Sequence, residues 1–499
     1  MLETTLKTLR KAGWGTLVAL LVTFLPPAYG QNLEWGAVPF FQYNIENVVV
    51  TAGAPGSETW TVRMIFSVTN PKDGKTWNIK DDLPFTSTGA NLTFDVAWDP
   101  LTDFTNTGSA NQALTQVSTK SLGTGAAMPV QVRGLQGRVP PVGKATLCMS
   151  LLECPGAASF DNRYWVEAKI TPVKFIKPVT TGRVAIEGRP VCNGVTGYLV
   201  DGQPGQPKCP NGPTTGVYVN IPVTSAVASF SFQSADPLHA MIDDHRRPIV
   251  DIAKCKGCHD GERHGDTDVP RLSLHGGNRN ENLGLCVMCH NANNTDVPYR
   301  TLTTPAGTLA DARISGDEVS IDFKRMIHSI HAGGFREKPF VVIGFQSSIN
   351  DFSYVRFPKA LRDCTNCHVD ANGKGSFELP LQSTVLGTTV NTGSVYKVAQ
   401  PLNPLPPGVT DPGGQFRQIN VNPNDDVKIT PIAATCSGCH DKAEVQSHMI
   451  NTGGASFKTT QAKITGGVVR ERCASCHGPG KEEDVRRAHE IGTGGGRDD

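Results

Sequence analysis

The sequence predicts a multidomain chain of two unlike units: an all-β unit, barrel or sandwich, over residues 31–235, and a mostly irregular, partly helical unit over 236–499. Two observations carry this division. Short runs of alternating apolar and polar residues, separated by Gly- and Pro-rich turns, recur up to residue 232 and then fade. All 13 histidines, and ten cysteines in Cys-x-x-Cys pairs, lie at or beyond His239.

Composition fits that picture. A chain of 499 residues has room for two or three domains. Gly (52) and Pro (35) favour turns over long continuous helices, and 38% hydrophobic residues suffice for real cores. The formal charge of +1, with no Lys/Arg stripe interleaved with aromatics, excludes a nucleic-acid partner.

Residues 1–30 read as an export signal. Lys7, Arg10 and Lys11 form a basic start, Gly13 to Pro26 an apolar stretch, and Ala28-Tyr29-Gly30 a cleavage site before Gln31. The apolar stretch is about 14 residues, short of the ~20 that span a bilayer. No later segment is apolar and long enough, so no transmembrane span is expected. Three basic residues and Glu3 leave with the signal, which takes the chain from +1 to −1.

The β unit shows its clearest alternation from Trp60 to Val68 and from Leu92 to Trp98, and a weaker one from Tyr164 to Ile170. Val217 to Val223 and Val227 to Phe232 add further β-forming runs, and clusters such as Asn70-Pro71-Lys72-Asp73-Gly74 punctuate them. Four cysteines fall here, Cys148, Cys154, Cys192 and Cys209, none in a Cys-x-x-Cys pair. In an exported unit they form two disulfides, and neighbour pairing (Cys148–Cys154, Cys192–Cys209) is preferred among three connectivities. The loop 201–213 then reads as a stapled excursion. A scaffold or docking role suits this half at least as well as a binding role.

The other ten cysteines form five pentads, each Cys-x-x-Cys followed at once by histidine: Cys255, Cys258 and His259; Cys286, Cys289 and His290; Cys364, Cys367 and His368; Cys436, Cys439 and His440; Cys473, Cys476 and His477. This is the attachment pattern of haem c. The two thiols bond the porphyrin vinyls, and the adjacent imidazole becomes the proximal iron ligand. With 13 histidines in 499 residues, a given position is His about once in 38, so five of five by accident is about one in 10⁸. Zinc has no reason to require His after every pair, and redox Cys-x-x-Cys motifs occur once or twice per chain. The expected cofactor is therefore five covalently bound haem c.

Eight histidines remain for the opposite face of the irons. His328 and His331 are best placed, on a short amphipathic helix around 323–331 where residues three apart share a face and can serve two neighbouring haems. His275 precedes Gly276-Gly277, which permit a close approach to a porphyrin. His448 lies eight residues after His440, and His489 twelve after His477. His264 sits in a Gly/Asp-rich loop and is weaker. His239 and His245 stay open between ligand, linker residue and neither. Five distal histidines would close every iron and leave a low-potential conductor without a substrate seat. Roughly 52 residues per haem also force the haems close together, as their own core.

Between His368 and Cys436 lies a histidine-free insertion. Val385 to Val398 could form a small hairpin within it, and Pro401 to Gly414 is Pro/Gly-dense.

The chain resembles the outer-membrane multihaem c-type cytochromes of the OmcA/MtrC family. The likeness rests on Leu274-His275-Gly276-Gly277 before Cys286 to Asn291, and on Met326 to His331 before Leu361 to Cys364. It rests also on Cys436 to His440 before His448 to Gly454, and on Cys473 to Pro479 with His489. It covers about residues 250–490; the β half matches only in general character. The resemblance implies a Greek-key β domain followed by a pentahaem domain. It implies distal ligation by His275, His328, His331, His448 and His489, leaving out His239, His245 and His264. It implies electron transfer at the cell surface, outer membrane or beyond, from a porin-associated cytochrome towards metal oxides, soluble metals or flavins. Two departures stand out: those relatives commonly repeat the unit twice, and many carry a lipid-anchoring cysteine, whereas no cysteine precedes Cys148 here. A secreted or periplasmic location therefore stays open.

Two rival readings compete. A dedicated multihaem reductase needs one open haem, and the lysine-ligated Cys-x-x-Cys-Lys motif of the familiar nitrite reductases is absent. A filament subunit would join terminal haems of successive copies.

Overall fold

The computed structural model describes residues 41–491, apart from 56–58, 99–128, 138–142, 171–179, 194–217, 244–247, 260–262, 301–316, 345–347, 400–415, 421–423 and scattered single or paired positions. The expected signal, the loop 201–213 with Cys209, His245 and the stretch 401–414 fall outside the described residues.

Twelve strands build the first half: β1 Phe41–Ala52, β2 Trp60–Thr69, β3 Asn91–Trp98, β4 Val130–Gln136, β5 Thr146–Leu147, β6 Arg163–Ile170, β7 Thr181–Arg189, β8 Val191–Asn193, β9 Tyr218–Asn220, β10 Val223–Thr224, β11 Ala226–Ser231 and β12 Met241–Ile242. They form two five-stranded sheets, ordered β10-β1-β2-β6-β5 and β12-β11-β7-β3-β4, while β8 and β9 pair separately. The β1–β10 pair is parallel and the other neighbours within both sheets are antiparallel. The unit is thus an all-β sandwich.

Alternation explains its core. Val62, Met64, Phe66 and Val68 on β2 meet Leu92, Phe94, Val96 and Trp98 on β3 between the sheets. Phe66 and Phe94 lie with ring centroids 4.7 Å apart, and Phe41 meets Trp77 and Phe85 edge-on, each at 5.1 Å.

Each sheet also has its outer face covered. On the first, Val49 and Ile65 pack against the disulfide Cys148–Cys154, whose Cα atoms lie 5.8 Å apart. On the second, Ala97 and Ala185 receive Leu285 and Met288 from the C-terminal half. Polar residues of this face are therefore buried: Asp95, Arg183 and Glu187 are each at most 5% exposed.

Short helices joined by loops and two-stranded pairs make up the second half: α1 Ile252–Lys256, α2 Leu283–Cys289, α3 Phe323–His331, α4 Pro431–Cys436, α5 Ala443–Asn451, α6 Gln461–Thr465, α7 Ala474–His477 and α8 Val485–Ala488. Among the described residues no helix is long and apolar enough to cross a membrane. The expected hairpin within 385–398 does not form. Thr388–Asn391 pairs instead with Val427–Ile429, and Val395–Ala399 with Phe416–Asn420, so both strands wait for the returning chain.

Buried polar bonds decide that register. Lys428, fully buried, donates from Nζ to Asn293 Oδ1 (2.8 Å) and Thr389 Oγ1 (2.7 Å), tying the insertion to the segment that follows His290. The Thr389 amide donates to Ala292 O (2.9 Å), and Thr388 Oγ1 to Asp322 Oδ2 (2.5 Å) at the start of α3. A hairpin closed on itself would forgo these partners.

Burial pushes Lys428 down to about 8, the charge of Asp426 opposing the shift. Its unfolded value is about 10.4, so between pH 8 and 10.4 the unfolded chain holds the extra proton and Lys428's contribution to stability rises with pH. Measured by denaturant unfolding across that window, the wild type should gain up to about 3 kcal/mol relative to Lys428→Met. Below pH 8 the difference should be flat.

Candidate metal centres

Each pentad folds as one helical turn. The histidine amide donates to the carbonyl of the first cysteine in all five: His259 to Cys255 (2.8 Å), His290 to Cys286 (2.9 Å), His368 to Cys364 (2.9 Å), His440 to Cys436 (2.9 Å) and His477 to Cys473 (2.8 Å). One turn brings both thiols and the imidazole to one side of the backbone. Local caps start several of these turns. Asp251 Oδ1 accepts from Ala253 N (2.8 Å), Asn282 Oδ1 from Leu285 N (3.3 Å) and Asp363 Oδ1 from Thr365 N (3.0 Å). Pro431 opens α4, and Glu471 accepts from the Ile432 and Ala433 amides at 2.8 and 2.7 Å.

None of the ten cysteines of these turns is paired in a disulfide. Burial pushes Cys436 up to about 12, and Cys255, Cys286, Cys364, Cys439 and Cys473 up to about 11. A structural zinc site gathers four Cys or His ligands around one ion. Among the described residues no group of three or more His, Cys, Asp or Glu gathers as such a zinc site would.

Every pentad histidine has a second imidazole beside it. Ring centroids lie 6.0 Å apart for His259 and His331, 5.8 Å for His290 and His275, 6.0 Å for His368 and His328, 5.9 Å for His440 and His489, and 6.2 Å for His477 and His448. An iron bonded to two imidazole nitrogens at about 2 Å each, with about 1.1 Å more to each ring centre, needs about 6 Å. The pairs fit that group.

Hydrogen bonds orient the rings. Nδ1 donates to a backbone carbonyl in His290 (Ile321 O, 3.0 Å), His331 (Ile327 O, 2.9 Å), His477 (Glu483 O, 2.9 Å) and His489 (Val485 O, 3.0 Å). A carbonyl only accepts, so the proton sits on Nδ1 and the Nε2 lone pair is left for a metal. Ser376 does the same for His368: its hydroxyl donates to Ile249 O and accepts from Nδ1 at 3.0 Å. Burial pushes His328 down to about 4 and His275 to about 3, which keeps both imidazoles neutral.

Helix α3 carries His328 and His331 three residues apart, one beside the third pentad and the other beside the first. His275 lies upstream of its partner, in a left-handed run with Gly276 and Gly277 (φ +54°, +70°, +84°). Here the glycines let the loop approach the sandwich: a Cβ on Gly277 would stand 2.4 Å from Asn220 Nδ2. In the C-terminal region the partners cross. His448, the nearer to His440 in sequence, meets His477, while His489 meets His440. His239 is bonded to Asp236 (2.9 Å) on the surface, away from the pairs. His264 lies in the two-residue strand Arg263–His264, and its side chain is outside the described residues.

The turns form a row. Lys256 Nζ meets Glu281 (2.7 Å), joining the first turn to the second. Asp251 N donates to Cys367 O (3.0 Å), and Lys254 Nζ to His368 O (2.7 Å), joining first to third. Arg325 Nη1 donates to Ala434 O (3.3 Å), joining α3 to the fourth turn. Glu471 joins fourth to fifth. The spatial order is second, first, third, fourth, fifth. Arg486, three residues before His489, clamps Asp370 (2.6 Å) and Glu378 (2.5 Å) beside the third turn, a tie that no local pattern announced.

A family model described as outer membrane cytochrome MtrC/MtrF-like, domains II/IV, matches residues 247–490. Among solved structures, the crystal structure of MtrC from Shewanella baltica OS185 aligns over 88% of this chain and 52% of its own, at 16% identity and a TM-score of 0.44. This chain thus spans about half the length of that protein. No curated protein matches it in sequence.

Gly438 occupies the third position of the fourth pentad, and a Cβ there would stand 2.6 Å from His328 Cβ. Gly257 occupies the same position in the first pentad, and its nearest neighbour is a carbonyl oxygen at 3.3 Å. Gly438→Ala should cost about 1–3 kcal/mol in denaturant unfolding by pushing α3 off the fourth turn. Gly257→Ala should cost clearly less.

Proposed function

This chain has the affinity of the MtrC/OmcA-like outer-membrane multihaem cytochromes, and on that premise we propose that it conducts electrons through five haem c groups at or beyond the outer membrane. The single observation that carries the reading is the set of five paired imidazoles at 5.8–6.2 Å, one pair at each pentad.

Each haem would be held by the two cysteines of a turn, with the pentad histidine proximal and His331, His275, His328, His489 or His448 distal, in pentad order. Bound there, haem supplies a reversible one-electron couple. The residues supply the rest. Nδ1 bonds fix the ring tautomers, and burial keeps His328 and His275 neutral. Arg486 and Lys254 hold neighbouring turns at fixed separation. Two imidazoles per iron leave no coordination position for a substrate, which favours a conductor over a dedicated reductase.

The same reading gives an exported protein released from residues 1–30, with unit boundaries near 235. A porin-associated outer-membrane cytochrome is its proposed electron donor, and metal oxides, soluble metals or flavins its acceptors. A Cys192–Cys209 disulfide beside Cys148–Cys154 belongs to this proposal.

The purified protein should carry the mass of five haems, show wholly low-spin spectra and bind no carbon monoxide when reduced. His331→Ala should convert one centre to a high-spin form that binds carbon monoxide, leaving the other four unchanged. A wild-type centre that binds carbon monoxide would sink the assignment of two histidines to every iron.

A further inference from the structure

Among the described residues, the outer face of the second sheet gathers more guanidinium than carboxyl groups. Arg183, Glu187 and Arg189 alternate along β7, so all three project on this face, and Asp95 joins them from β3 opposite Ala185. Glu187 is taken by Arg279 of the C-terminal half, whose guanidinium meets both carboxylate oxygens at 2.5 and 2.9 Å. Asp95 accepts from Gln131 (2.8 Å), and burial together with the Glu187 charge raises its pKa well above the usual range. Among the described residues, Arg279 thus takes Glu187 and Gln131 takes Asp95, which leaves neither carboxyl group for Arg189.

Arg189 is where the imbalance falls. Its Nε is buried without a hydrogen-bond partner, and among the described residues no carboxylate reaches it. Burial lowers its pKa, with no neighbouring anion to oppose the shift. Arg189 as a whole is only part-buried, but a guanidinium nitrogen withdrawn from water without a partner still costs free energy. One of its terminal nitrogens lies 3.1 Å from where a Cβ on Gly276 would stand, next to His275, the imidazole paired with His290. Haem carries two carboxylate side chains, and a haem held between His275 and His290 would add those anions to the neighbourhood of this guanidinium.

Resting on the reading that Cys286 and Cys289 carry a haem, we propose that Arg189 of the β-sandwich is the counter-ion for a carboxylate of that haem. The sandwich then contributes a binding group, and a positive charge that favours reduction of this one centre.

The test is a potentiometric titration of the full haem-loaded protein, following each one-electron transition by absorption and electron paramagnetic resonance. Arg189→Gln should move one transition, and only one, about tenfold toward the oxidised form, which is about 59 mV lower for a one-electron couple. Arg189→Lys keeps the charge and should restore most of the shift. Transitions unmoved in Arg189→Gln, or moved as far in Arg189→Lys, overturn the proposal. Should Arg189→Gln fail to fold, Asn91→Asp offers Arg189 a competing carboxylate from its cross-strand partner and should lower the same transition; no change there overturns the proposal as well. The premise is checked separately by mass spectrometry of a proteolytic digest. A peptide spanning Cys286–His290 without haem refutes the reading, whereas a haem-bearing peptide with unmoved potentials refutes the role of Arg189.

Discussion

Ten imidazoles must meet in five pairs across a gap of about 6 Å, and most irregularities of the C-terminal half follow from that requirement. Long helices would fix ring positions by a single repeat and could not bring partners together from so many directions. Short turns with local caps place the pentad histidines, and separate pieces of chain deliver the others. His275 accepts a left-handed backbone (φ +54°) to reach its partner, a conformation that costs a non-glycine residue of order 1 kcal/mol. The neighbouring Gly276 and Gly277 continue that bend at no such cost.

What was legible in the sequence is what is local. The pentads are contiguous, and the turn they form is held by a bond from residue i+4 to residue i, so their chemistry could be read directly. The helix 323–331 was legible for the same reason, since its two histidines share a face whatever surrounds them. Strands β2, β3 and β6 announced themselves by alternation. Partnership between distant imidazoles was not legible. Sequence proximity would assign His448 to His440, yet α5 points His448 at the fifth turn while α8 brings His489 back to the fourth. The strand Thr388–Asn391 is a similar case, because its partner arrives more than thirty residues later and is fixed by Lys428 and Asp322. β7 escaped notice because its sequence, TGRVAIEGR, places charged residues on one face, which reads as a solvated edge. That face is buried only because the second half of the chain covers it.

The covered face changes how the sandwich should be regarded. A scaffold needs only apolar contact, and the patch of Ala97, Ala185, Leu285 and Met288 would provide it. Around that patch the structure places buried polar groups instead: Glu187 with Arg279, Asp95 with Gln131, and Arg183 reaching Gly284 O at 3.4 Å. Backbone bonds add to the stitching, with Gly188 N donating to Asn278 O (2.7 Å) and Ser225 N to Asn280 O (3.1 Å). Buried ion pairs are poor sources of stability compared with apolar packing, but they impose one register on the surfaces they join. The sandwich is therefore held against the second turn in a defined position, as the role proposed for Arg189 would require.

The row of turns is consequently unlike at its two ends. At one end the second turn is enclosed by the sandwich: Met288 is fully buried, and burial drives Cys289 well above the ordinary thiol range. At the other the fifth turn lies open, with Cys476 exposed and the Nδ1 bond of His477 made at the surface. Water stabilises the more highly charged oxidation state of a centre, so on the proposed five-haem reading exposure and enclosure would set different potentials even where the ligands are the same. Five identical pairs of imidazoles would otherwise give five nearly equivalent centres. The asymmetry comes from what surrounds the pairs, and the β half supplies it at one end only. On that reading the sandwich would take part in shaping the electron path, although it contributes neither a cysteine nor a histidine to any turn.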